Sequence, residues 1–154
     1  MNIAECQAKI AENKLKIEKL KAKILEYQVF IKDLESLKGD VDASRDRLKS
    51  SSNFLSEGLV IDKQSADQGK LGGYAEELNT ASRNIVDFIG EANAKINEFT
   101  REIERLEVEI RNLEATIKRL EAEERRRQRE DKLSSRTSGN STYKGTNIKS
   151  FRGH

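Results

Sequence analysis

The chain's one thiol, Cys6, and its one imidazole, His154, stand at opposite ends of the sequence. Nucleophilic catalysis of the Ser-His-Asp or Cys-His kind needs an imidazole held beside the nucleophile, and a histidine metal site needs several such ligands. A histidine at the final position answers neither requirement. Gly69-Lys70 invites comparison with a phosphate-binding loop, but that pattern requires Gly at 64, where the chain has Gln64, and Ser or Thr at 71, where it has Leu71. Carboxylates are plentiful, yet they recur on regularly charged stretches where solvated charge is their ordinary role. No catalytic, cofactor or metal residue is assigned, and a protein that is not an enzyme is expected. Cys6 cannot form a disulfide within the chain. Its ordinary reading is a small buried hydrophobe; the sharper one is a bridge across a parallel homodimer.

What the sequence does position, it positions by sevens. Ile3, Ile10, Ile17, Ile24 and Ile31 recur with Cys6, Asn13, Leu20, Tyr27 and Leu34 between them. A second series runs Ile89, Ile96, Ile103, Ile110 and Ile117, interleaved with Ile85, Ala92, Phe99, Leu106, Leu113 and Leu120. These are the a and d positions of a heptad, through which one helix buries a narrow stripe against another. Charged residues at 36%, no Pro and no Trp suit long helices better than a globular core. The fold expected is all-α: two long helices forming an antiparallel coiled-coil hairpin with a disordered basic C-terminal tail.

The hairpin is expected over 1–131, with helix one at about 3–50, a turn region at 51–73 and helix two at about 74–129. Gly39 interrupts the first seam, but Val41 and Leu48 keep its spacing, so helix should persist to the run Ser50-Ser51-Ser52-Asn53. Residues 53–74 hold four of the nine glycines and an apolar knot of Phe54, Leu55, Leu59, Val60 and Ile61. That knot either covers the end of the hairpin or docks a partner. Residues 132–154 carry Lys132, Arg136, Lys144, Lys149 and Arg152 and no acid, and leave 24 bases against 27 acids in the remainder. Their apolar content is too small to offset the entropy of ordering, so this basic tail is expected to be disordered.

Folded antiparallel, Ile3 comes opposite Leu120 and Leu34 opposite Ile89. The turn then falls near Ile61 and Asp62, inside the glycine-containing segment, with arms reaching roughly 65 Å at the helical rise. The competing signal is Ile at a with Leu at d from Ile103 to Leu120, which suits a parallel two-stranded coil. Asn13 at a d position reads either as a register-setting polar residue or as a wet, frayed end. A two-helix pair leaves part of its stripe thinly covered, so association with a second helical pair is expected. The residues assigned to that contact are Ile24, Ile31, Leu34, Leu71, Gly73, Tyr74, Ile85, Ile89, Ile96 and Phe99.

Arg125 to Arg129 and the tail allow a nucleic-acid reading, with Tyr143 and Phe151 available to stack on bases. Interleaved Glu121, Glu123, Glu124, Glu130 and Asp131 argue against it. No run approaches the roughly 18 apolar residues of a membrane span, and no basic-then-apolar leader opens the chain. A soluble cytoplasmic protein is expected, or one exported without a cleavable signal peptide.

The closing pattern, Ile103-Glu104-Arg105-Leu106 through Ile110, Leu113-Glu114, Ile117 and Leu120-Glu121, resembles the second helix of the YwqH-like family. These are small helical-hairpin proteins encoded beside LXG-domain toxins in type VII secretion operons. Leu71-Gly72-Gly73, followed by Tyr74, matches the place of a Trp-X-Gly motif at the turn, with Leu71 where Trp would stand. The resemblance covers about residues 1–120. It implies a targeting factor or chaperone whose helices pack beside the N-terminal helical region of an LXG-type toxin. The alternatives are a self-assembling coiled coil of a phage or cell-surface assembly, which would be a homodimer, and nucleic-acid binding through the tail.

Overall fold

The computed structural model describes the backbone of residues 1–57 and 62–152 and the side chains of residues 1–54 and 69–136. Two helices, α1 (Ile3–Glu57) and α2 (Asp62–Arg152), pack against each other as an antiparallel hairpin, and the described residues contain no strand. A capping box starts α1. The Asn2 side chain accepts the Glu5 backbone N–H at 2.8 Å, and the Glu5 carboxylate accepts the Asn2 N–H at 2.9 Å.

The boundaries correct the sequence reading. The turn region expected at 51–73 is helical at 51–57 and again from Asp62, while residues 58–61, on which the turn point expected near Ile61 falls, lie outside the described residues. Ser50 to Ser52 do not stop α1, because serine costs only a few tenths of a kcal/mol in a helix and the seam beneath it continues. Leu71-Gly72-Gly73 belongs to α2 rather than to a turn: Leu71 is half-buried and Ala75 is buried, so packing offsets the glycines. Of the apolar knot, Phe54 is 77% exposed, and the side chains of Leu55, Leu59, Val60 and Ile61 lie outside the described residues. At the other end, residues 124–136 are exposed throughout while the backbone continues as helix to Arg152. Most of the tail expected to be disordered at 132–154 falls on side chains outside the described residues.

Gly39 sits inside α1 with no heavy atom within 4 Å of the place a Cβ would take. Gly39→Ala should therefore stabilise the protein by about 0.5–1 kcal/mol through helix propensity alone. A higher midpoint in urea with an unchanged m-value would show it.

The helices form two compact units. The first joins Met1–Leu15 to the stretch from Arg105 onward. Its buried residues are Cys6, Ile10, Asn13, Leu106 and Ile110, with Ile3, Leu113, Ile117 and Leu120 half-buried. Cys6 thus takes its place as a small core residue. Asn13 is 0% exposed, which excludes a wet helix end, and neither its Nδ2 nor its Oδ1 finds a hydrogen-bond partner among the described residues.

The second unit, Lys16–Glu104, buries Ile17, Leu34, Ala75, Ser82, Ile85, Ala92 and Ile103. Its antiparallel register is fixed by contacts across the seam. The Tyr27 and Phe99 rings lie 5.7 Å apart at 55°, and Lys23 Nζ stands 5.7 Å from the Phe99 centroid. Further along, the Ser82 hydroxyl donates to Asp42 and Arg45 donates to Asn79. These pairs fall within one helical turn of the register that equal arms predict.

Candidate protein-docking surface

Every a and d position named in the two isoleucine series is buried or half-buried, so the hairpin uses both stripes for its own pairing. The pairing is partial. Leu20, Ile24, Tyr27, Ile31, Ile89, Ile96 and Phe99 are only half-buried, as two helices alone must leave them. The residues assigned to partner binding consequently divide. Leu34 and Ile85 are buried; Ile24, Ile31, Leu71, Ile89, Ile96 and Phe99 are half-buried; Gly73 and Tyr74 are exposed.

A further set of exposed apolar groups lies beside the seam, and of these sequence reasoning singled out only Tyr74. The heptad position just before each a residue is Lys9, Lys16 and Lys23 early in α1, but Phe30 and Leu37 further on. In α2 the same position is Tyr74, Ala81 and Phe88, and then turns to Lys95, Glu102 and Glu109. Charge there is the rule for a coiled coil in water. The signal that would have found this patch is the break in that rule. Phe30 is 48% exposed, Phe88 52%, Leu37 49% and Tyr74 53%.

Two grooves result within the second unit. Tyr27 and Phe30 of α1 with Phe88, Ala92 and Ala94 of α2 line one of about 440 Å³, rimmed by Glu91, Lys95 and Glu98. The other, of about 480 Å³, is formed by Leu25, Val29, Ile31 and Ile96 among polar neighbours. Leu25 and Val29 are 62% and 59% exposed.

A polar layer follows the apolar section. Lys38 and Arg45 occupy the a positions after Ile31, and Ser82 occupies the one before Ile89. Asp42 gathers them. Its carboxylate accepts Lys38 Nζ at 2.7 Å and the buried Ser82 hydroxyl at 2.7 Å, and lies 3.2 Å from Arg45, whose guanidinium also donates to Asn79 at 3.2 Å. The Lys38 hydrogen bond, then that of Ser82, hold the Asp42 carboxyl below its ordinary value against a smaller opposing effect of desolvation. A carboxylate whose folded pKa is depressed contributes stability that is present above its unfolded value and lost as pH falls through the folded one. The melting temperature followed by circular dichroism should therefore fall as pH drops below about 4 in the wild type. In Asp42→Asn that acid-dependent fall should be smaller, from a lower starting stability. An identical acid limb in both proteins would contradict the assignment.

Among the described residues, no cluster of His, Cys, Asp and Glu could hold a metal ion, and no helix is long and apolar enough to cross a membrane. What the arrangement can do is offer half-covered apolar stripes and two flanking grooves to another helix. No family model matches the chain, and neither does any curated protein or solved structure.

Proposed function

We propose that the chain is a non-enzymatic helical adaptor, a targeting factor or chaperone that pairs with the N-terminal helical region of an LXG-type toxin for type VII secretion. The observation that supports this reading is the apolar surface left over after the hairpin has formed. Half-buried seam residues from Ile24 to Ile31 and from Ile89 to Phe99 run between Phe30 and Phe88 on one flank and Leu25 and Val29 on the other. A hairpin so covered lowers its free energy by accepting another amphipathic helix, at about 25 cal/mol for each Å² of apolar surface removed from water.

Affinity purification of the chain from its native cell, with mass spectrometry of what accompanies it, tests the reading. The expected companion is a large protein with a helical N-terminus and a separate C-terminal domain. Recovery of this chain alone at dimer mass or above would favour the self-assembling coil instead. Recovery of nucleic acid lost on truncation after Asp131 would favour the basic tail.

A further inference from the structure

We infer that the groove lined by Tyr27, Phe30, Phe88 and Ala92 takes an amphipathic helix whose apolar stripe is bordered by Lys or Arg. This rests on the adaptor reading and names the face and the chemistry of the partner. Both walls of the groove are helices whose backbone groups are already hydrogen-bonded along each helix, so an extended peptide finds no ladder to join. The buried Ala92 forms a floor that lets a third helix approach closely, and Phe30 and Phe88 stand at the sides as half-exposed anchors.

Charge selects the occupant. Glu91 and Glu98 rim the groove, and Glu26 lies beside Tyr27 and Phe30 at its edge. Lys95, the base among the groove-lining residues, is paired with Glu98 at 3.3 Å, so the excess negative charge of the rim rests on Glu91 and Glu26. A cationic border on the incoming helix meets this acidic rim favourably. A second copy docking by twofold symmetry would set the same carboxylates against one another, which disfavours self-association through this face.

The test is selection from a displayed library of peptides of about three heptads. Their apolar stripe is fixed as Leu, their flanking positions are varied between Lys and Glu, and they are panned on the full chain. Lys-flanked peptides should be enriched. Phe30→Ser with Phe88→Ser should weaken the selected peptides by about tenfold or more while the helix content at the binding temperature stays that of the wild type, because both rings lie outside the buried seam. Glu26→Lys, Glu91→Lys and Glu98→Lys together should reverse the preference to Glu-flanked peptides, and these exposed positions leave the hairpin's packing untouched. Absence of enrichment, enrichment without a flank bias, or binding indifferent to both sets of changes would overturn the inference. So would sedimentation showing that the groove residues drive dimerisation instead. A toxin region that binds wild type and variants equally would keep the adaptor reading and sink this groove. Lys-flanked enrichment with no toxin recovered would do the reverse.

Discussion

Leu106→Ala should lower the stability of the protein by about 2–5 kcal/mol, the cost of emptying a fully packed leucine site. Leu106 is 2% exposed at a d position of the first unit, the largest of the fully buried side chains among the described residues. Most other leucines here are half-buried and give up less on truncation. Leu113→Ala, one heptad on, is the control, and the account expects a clearly smaller loss there. Urea unfolding followed by circular dichroism gives both values. Equal losses at the two sites would mean that the burial gradient along the seam does not govern its energetics.

Asn13→Leu should do the opposite and stabilise the chain by about 1–3 kcal/mol. The Asn13 amide is 0% exposed and has no hydrogen-bond partner at either polar atom among the described residues. A buried polar group without a partner carries its full desolvation cost, about 1–3 kcal/mol, and leucine at d, with the same branching and number of side-chain heavy atoms, removes that cost. A buried asparagine in a coiled-coil seam is tolerated because it disfavours other registers and oligomers. The Asn13→Leu protein is therefore expected to melt higher and to populate additional oligomeric species in light scattering. A lower melting temperature would contradict the account of this residue. A higher one with a single unchanged mass would leave Asn13 a cost without a role in specificity.

The hairpin was legible because isoleucine at intervals of seven survives any local noise, and because the two stripes match in length when paired antiparallel. Both follow from burial, which leaves a periodic trace. The element ends were not legible, since Ser50 to Ser52 and Gly69 to Gly73 carry local penalties that the continuing seam outweighs. The polar layer was hidden for another reason. Asp42 and Ser82 lie 40 residues apart, and only the folded register brings the hydroxyl to the carboxylate. The candidate surface was half legible. The seam residues assigned to a partner are real apolar positions, but the hairpin takes up much of their surface. Phe30, Leu37 and Phe88 escaped notice because an a/d reading looks at the stripe and not at its borders.

The most direct measurement is the mass of a reconstituted complex. The full chain is mixed with the N-terminal helical region of an LXG-type toxin and passed over a sizing column with light scattering. One peak is expected whose mass is the sum of the two chains, and it should be lost when Phe30 and Phe88 are both replaced by serine. Separate elution of the two proteins at their individual masses would contradict the central claim that this hairpin leaves its apolar flank open for that partner.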